Sequence, residues 1–128
     1  MWKAAAPLLI LASPACSDAC GNYVQKVLPS PDGKHAAVLF RRDCGATTDF
    51  STQVSVVRMG TRPKGSGNVF IADADHGAVG RAAWGDPWAD MKWVAPRHLV
   101  ISYDARSRVF SKNGSASGVR ITFERITR

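Results

Sequence analysis

The chain has 128 residues, of which 45% are apolar, and its formal net charge at neutral pH is +7. The length excludes two domains of ordinary size, and the apolar content is typical of a soluble globular protein that buries a core. The positive charge favours anionic partners, namely phospholipid headgroups, cell-wall polymers or nucleic acid. The alternative is a solvated basic face that has no partner.

The first 19 residues have the layout of a secretory signal peptide. Lys3 supplies a positive charge, residues 4–12 are apolar, and small residues follow them. This apolar run is too short to span a bilayer as a stable helix. We therefore predict a signal peptide over residues 1–19 and a single mainly-β domain over residues 20–128. We expect export, either to the periplasm or to the membrane as a lipoprotein.

Two cleavage positions are open, one before Cys16 and one before Cys20. The sequence SPAC that ends at Cys16 is similar to a bacterial lipobox, in which the cysteine receives a diacylglyceryl group. That motif usually has an aliphatic residue where Ser13 stands, but Cys16 is still a lipidation candidate. An ordinary signal peptidase could instead cut after Ala15 or Ala19, because small residues occupy both of the positions that it selects.

The three cysteines, Cys16, Cys20 and Cys44, predict one disulfide. Export implies an oxidising compartment, in which thiol pairs tend to close. If Cys16 is lipidated or removed, Cys20 and Cys44 remain to pair. Their bridge would close a loop of about 25 residues and stabilise the fold by roughly 3 kcal/mol in the chain-entropy model. The alternatives for Cys44 are a buried free thiol and a nucleophile that uses one of the three histidines as its base.

Residue patterns predict an antiparallel β domain of seven or eight strands, either a meander or a small sandwich. The sequence PSPDGK at residues 29–34 has strong turn chemistry, because Pro presets φ, Asp bonds the local backbone and Gly supplies a positive φ. The last predicted strand places Val119, Ile121 and Phe123 on one face. The predicted strands cover residues 22–28, 35–41, 53–59, 68–72, 99–103, 109–112 and 119–126.

Residues 73–93 lack a strand pattern and predict one long loop, with a short helix over residues 77–83 as the alternative. Long loops on β scaffolds often carry functional residues. Trp93, at the start of a predicted strand, is expected in the core, whereas the polar residues and the other tryptophans of the loop are candidates for binding. The binding candidates are Asp73, Asp75, His76, Trp84, Asp86 and Trp88.

The carboxylates of this loop could also hold a cation. Their oxygens suit Ca²⁺ or Mg²⁺, and His76 would favour Zn²⁺. Their spacing fits neither an EF-hand nor a zincin pattern, and Asp side chains in such a turn commonly bond local amides instead. We therefore predict no metal and no cofactor.

The sequence shows two resemblances to known proteins. The sequence SPDGKHAAVLF resembles one blade of a TolB-type β-propeller, and WVAPRHLVISYD resembles the start of the next blade. A propeller needs at least four blades, so this similarity implies shared hairpin chemistry only. Together with RDCGATTDFSTQVSV and GNVFIADADHG, the second stretch also resembles a family of short exported bacterial proteins of uncharacterised function. That resemblance implies export and one small domain, and it brings no activity with it.

The leading functional hypothesis is an exported envelope protein without enzymatic activity, with one domain that carries a binding or interaction surface. The basic half, residues 97–128, could contact anionic lipid or an envelope polymer, and export argues against nucleic acid. The alternative is a small envelope hydrolase that uses Asp73, His76 and Asp86 as metal or acid–base groups. No recognisable set of nucleophile, base and orienting group supports this alternative.

Overall fold

The computed structural model describes residues 20–45, 50–75, 77, 79, 82 and 87–128. They form nine strands and no helix, so no helix in the described ranges is long and apolar enough to cross a membrane. The strands are β1 (Gly21–Pro29), β2 (His35–Asp43), β3 (Ser51–Arg58), β4 (Phe70–Asp73), β5 (Ala89–Ala95), β6 (His98–Asp104), β7 (Arg108–Lys112), β8 (Ser115–Ala116) and β9 (Val119–Ile126).

Five strands form an antiparallel sheet in the order β1-β2-β3-β4-β7. The turn between β1 and β2 has the predicted chemistry. The Ser30 hydroxyl donates to Asp32 Oδ1 at 2.6 Å, and the same oxygen accepts the amide of Lys34 at 3.1 Å. Both contacts lower the pKa of Asp32, the hydrogen bond from Ser30 more than that from Lys34. Gly33 has φ of 73°, a conformation that glycine adopts without strain.

A disulfide closes the opposite end of the β1–β2 hairpin. Cys20 precedes β1, Cys44 follows β2, and their sulfur atoms are bonded at 2.07 Å. The predicted pairing is therefore confirmed. The hairpin is held by a turn at one end and by a covalent bond at the other, which fixes the first strand of the domain to the rest of the sheet.

The second sheet has four strands in the order β5-β6-β9-β8 and is mixed. Strands β6 and β9 run parallel, with His98 opposite Arg120 and Asp104 opposite Ile126. The parallel pairing arises because the chain leaves β6 to form β7 in the other sheet and then returns to the end where β6 began. The prediction of an all-antiparallel domain was therefore wrong for this one pair.

The two sheets pack face to face as a small sandwich, so the mainly-β prediction is confirmed in its sandwich form. Alternate residues of the strands point into the shared core, as the period of a strand requires. Phe70 is central to it, with its ring centroid 5.2 Å from that of Tyr103 and 6.1 Å from that of Phe123. The buried residues of the core are Ala37, Leu39, Val54, Val56, Val69, Phe70, Ala72, Ala89, Met91, Leu99, Ile101, Tyr103, Val119 and Ile121.

Two strands were absent from the prediction, which gave seven or eight strands rather than nine. Strand β8 lies in a segment predicted as a turn, and β5 occupies the end of the predicted 73–93 loop. Trp93 accordingly lies inside β5 rather than at a strand start, packs against the core as expected, and donates from Nε1 to the carbonyl of Leu28 at 2.9 Å. Most of the alternative helix over residues 77–83 falls outside the described residues.

Candidate functional site

The described members of the predicted site lie at one end of the sandwich, and one guanidinium lies close to two of them. Asp73 ends β4 and stands opposite Arg108 in β7. Arg108 donates from Nε to Asp73 Oδ1 at 3.0 Å and from Nη2 to Oδ2 at 2.7 Å. This bidentate pair is a strong one, because its geometry matches both groups. The Asp73 side chain is only 8% exposed, so it serves the fold by holding β4 to β7.

Asp75 lies in the turn after β4, close to the same guanidinium. Its backbone has φ of 52°, and its amide donates to Asp73 Oδ1 at 2.9 Å. Its carboxylate Oδ1 is 3.7 Å from Arg108 Nη1. This is the local bonding expected of an Asp-x-Asp turn. The described ranges contain no group of three or more potential metal ligands. His76, Trp84 and Asp86 lie outside the described residues, and so does the lipidation candidate Cys16.

Trp88 is half-buried at the same end, under a terminal cation. The guanidinium of Arg128 lies 4.3 Å from its ring centroid, a typical cation–π distance. The carbonyl of Trp88 accepts the amide of Asp104 at 3.1 Å. The exposed guanidinium of Arg106 donates to Asp104 Oδ2 at 3.0 Å, and this side-chain hydrogen bond lowers the pKa of the buried Asp104 carboxyl. These contacts make this end of the sandwich polar and pair the described charged groups named above with one another or with a ring.

Five of the seven basic residues of the C-terminal half lie in two groups at the two ends of β6. Arg97 and Arg120 lie where β6 begins, whereas Arg106, Arg125 and Arg128 lie where β6 ends. The seven residues of β6 separate these ends by roughly 20 Å. The two groups therefore do not form one compact basic patch. Contact of this half with anionic lipid or an envelope polymer stays a prediction.

A groove that no pattern in the sequence predicts lies on the outer face of the five-stranded sheet. We name it the outer groove; its volume is about 380 Å³, and strands β1 and β2 and the segment 59–63 line it. Val24, Val27 and Met59 are 48%, 50% and 39% exposed, although each is apolar. The residues that define its chemistry are Val24, Val27, Ala36, Val38, Met59 and Arg62.

A β-bulge in β1 places two valines on the same wall of the outer groove. Val24 stands opposite Phe40 and Val27 opposite Val38, with the register shifting at Gln25. In a regular strand, residues three apart point to opposite faces. The extra residue at Gln25 restores a common face. The exposure of these valines is therefore a consequence of the bulge.

The loop that follows β3 forms the other wall, and hydrogen bonds fix its path across the sheet. Asn22 Nδ2 donates to the carbonyl of Gly65 at 2.9 Å, while Asn22 Oδ1 accepts from Arg42 Nη1 at 2.6 Å. Further along, the amide of Gly67 donates to Gln53 Oε1 at 2.6 Å. A Cβ at Gly67 would lie 2.7 Å from the carbonyl oxygen of Val54, so only glycine lets the loop approach this closely.

The charge around the outer groove is positive. Arg62 is the one charged residue among those that line it, and no hydrogen bond or ion pair links Arg62 to any other residue in the described ranges. A second guanidinium, that of Arg42, is held at the groove by Asn22. The groove therefore combines an aliphatic interior with a cationic rim.

One signal in the sequence could have indicated a covered outer face. Residues 36–40 form a continuous apolar run, AAVLF, and all five are buried. A strand with apolar residues on both faces requires cover on both faces. Alternate members of the run meet the sandwich core, while Ala36, Val38 and Phe40 form a separate cluster on the outer face. The run predicts that the outer face of β2 is covered, but it does not predict that a loop covers it.

Comparison of the chain with protein-family models, with curated proteins and with solved structures found no match. The resemblance to a family of short exported bacterial proteins therefore stays a prediction.

Proposed function

We propose that the chain is an exported protein of the bacterial envelope whose single domain binds a partly apolar ligand in the outer groove, without catalysis. The observation that carries this proposal is the exposure of Val24, Val27 and Met59 in a concave site. Apolar pockets of about 300–1,000 Å³ with a few polar groups at the rim are the usual form of small-ligand sites.

The disulfide supports the export part of the proposal. Disulfides persist mainly in oxidising compartments, and the bridge between Cys20 and Cys44 lies directly after the proposed signal peptide. Cys16 remains the proposed attachment point for a lipid. Export therefore accounts for both the signal-like N-terminal sequence and the disulfide between Cys20 and Cys44.

Binding agrees better with the geometry than hydrolysis does. Asp73, the described member of the alternative hydrolytic set, gives both carboxylate oxygens to Arg108. A general base must lie within reach of the proton that it takes, and the Asp73 side chain is only 8% exposed. The outer groove itself is lined by aliphatic side chains and contains no carboxylate, histidine or thiol among its described residues.

Fractionation and mass spectrometry of the protein from its producing cell test the export part. We expect recovery with the periplasm or membrane, cleavage before Cys16 or Cys20, and an oxidised Cys20–Cys44 pair. A diacylglyceryl mass on Cys16 would establish the anchor. Recovery from the cytosol with an intact N-terminus and two reduced thiols would contradict export.

Fluorescence of the neutral apolar dye Nile red tests the binding part. Val27→Glu places a carboxylate in the outer groove and should abolish the enhancement that the processed wild-type protein produces. Val94→Glu is the matched control, because Val94 is also 50% exposed and also lies at a bulge in an edge strand. Equal enhancement by all three proteins would show that the groove does not bind apolar molecules.

A further inference from the structure

We propose that the ligand of the outer groove is a single linear alkyl chain that ends in a carboxylate, that is, a medium-chain fatty acid. This inference rests on the proposed function and adds the chemical class of the ligand. The chain would lie against Val24, Val27, Val38 and Met59, and the carboxylate would meet the guanidinium of Arg62.

The interior of the groove suits an alkyl chain. Its floor is formed by Ala36 and Val38, which are buried, and its walls by aliphatic side chains of β1 and by Met59. No aromatic side chain is among the described lining residues, so the groove offers no platform on which a ring or a sugar would stack. Methionine is flexible and adapts to an irregular chain.

The volume of the outer groove indicates the length of the alkyl chain that it would hold. A methylene group and a water molecule take up similar space, about 30 Å³, so a groove of about 380 Å³ accommodates about a dozen carbons. This corresponds to one alkyl chain of medium length rather than to the two long chains of a phospholipid. A monomeric single-chain amphiphile is therefore favoured over a lipid that stays in a bilayer.

The charge at the rim selects the headgroup. Arg62 lines the groove and has no ionic or hydrogen-bonding partner within the described part of the chain. A guanidinium pairs with a carboxylate through two parallel hydrogen bonds. Arg42, held by Asn22 at 2.6 Å, adds a second positive charge. No acidic side chain among the described lining residues opposes an anion.

Calorimetric titration of the processed protein with straight-chain carboxylates, each below its micelle concentration, tests this proposal. From about eight carbons upward, each added methylene should raise the affinity roughly threefold to fourfold, because it buries one more apolar group. The gain should stop at about twelve to thirteen carbons, when the groove is full. Methyl NMR should show shifts at Val24, Val27, Val38 and Met59.

Point substitutions distinguish the affinity that comes from the alkyl chain of the ligand from the affinity that comes from its headgroup. Val27→Glu should weaken decanoate binding at least about tenfold, whereas the matched Val94→Glu should leave it unchanged. Arg62→Gln should weaken decanoate several-fold and leave 1-decanol, which has the same chain and no charge, unaffected. Arg62 is exposed, so its replacement tests the headgroup without a risk to folding.

Three results would overturn the proposal. The first is no saturable binding of any carboxylate in the series, and the second is binding that Val27→Glu does not reduce. The third is binding only to vesicles of phosphatidylcholine with phosphatidylglycerol, which would assign the groove to a membrane surface. If Nile red binding depends on Val27 while no carboxylate binds, the binding function survives and only the ligand class is wrong.

Discussion

Removal of the disulfide should release β1 from the domain. The non-covalent packing of β1 is weak, because its residues 23–27 are all exposed and only Leu28 packs against the core. Within the described part of the chain, β1 pairs with β2 alone and forms the edge of its sheet. The perturbation is the double variant Cys20→Ser/Cys44→Ser, which leaves neither cysteine of the pair as a free thiol.

The size of the effect follows from the loop that the bridge closes. The two cysteines are separated by 24 positions, and closing a loop of this length stabilises the folded state by roughly 3 kcal/mol through the entropy of the unfolded chain. For a domain of about one hundred residues, this corresponds to a fall in melting temperature of about 12 °C. Differential scanning calorimetry measures this shift.

The loss of stability should also be greatest in β1. Amides of β1 that bond to β2 should exchange with deuterium at least about tenfold faster in the variant, whereas amides of the buried strand β6 should follow global stability. Because Val24 and Val27 form one wall of the outer groove, Nile red binding should weaken in parallel. Hydrogen exchange resolved by residue, at matched temperature and pH, separates the two effects.

Wild-type protein treated with reductant is the control for the serine substitutions themselves. It should reproduce both the fall in melting temperature and the faster exchange of β1. A double-serine variant that melts within about 2 °C of the oxidised wild type, with β1 equally protected, would refute the argument that the bridge retains β1.

Three further substitutions test the packing and the charges, each by equilibrium urea unfolding. Gly67→Ala should destabilise the domain by about 1–3 kcal/mol, because the added Cβ would lie 2.7 Å from the carbonyl oxygen of Val54; an unchanged midpoint would contradict this close approach. Asp73→Asn should cost about 1–3 kcal/mol, because it removes a buried charge from a bidentate pair; stability equal to wild type would show that the pair is neutral for folding. The pKa of Asp104 in the folded protein is lowered from 3.8, mainly by the hydrogen bond from Arg106. The stability that the ionised Asp104 carboxylate contributes is therefore fully present above its unfolded-state pKa, and it is lost as pH falls through the lower folded-state pKa. Asp104→Asn should therefore cost about 1–3 kcal/mol at pH 7, and this difference from wild type should shrink below about pH 4; a difference that is constant with pH would contradict the linkage.

Local patterns were enough to predict most of the strands, whereas the disulfide was predicted from the number of cysteines and the expected oxidising compartment. Strand β9, Val119–Ile126, has the predicted bounds, because its alternation is regular and Val119 and Ile121 are buried. The hairpin turn was predicted because Pro, Asp and Gly each have a definite role in it. In these places the deciding interactions lie within a few residues of each other along the chain.

The two missed strands show what the patterns conceal. Strand β5 does alternate, with Ala89 and Met91 buried and Lys92 exposed, but its Asp and Trp residues resemble those of the loop before it. Strand β8 has two residues and is joined to β9 by Ser117 and Gly118, both with positive φ. From the sequence alone, such a short hairpin cannot be told from a turn.

Non-local contacts determine the parts that could not be predicted. The parallel pairing of β6 with β9 depends on the intervening crossing to the other sheet, which no window of sequence contains. The outer groove depends on a hydrogen bond between Asn22 and Gly65, which are 43 residues apart, and on the bulge at Gln25. A bulge changes which side chains share a face without any change in composition.

The same bulge bears on why exposed valines can persist on an edge strand. An edge that presents apolar side chains and free backbone groups invites pairing with another chain. In β1 the bulge breaks the regular ladder, and Lys26 beside it forms an ion pair with Asp90 at 2.6 Å. Both features oppose the addition of a further strand, whereas neither covers Val24 or Val27. The edge is therefore protected against strand pairing while the groove stays open. A binding site for a small apolar ligand requires this combination, whereas a site for an added peptide strand would require an edge that is free to pair.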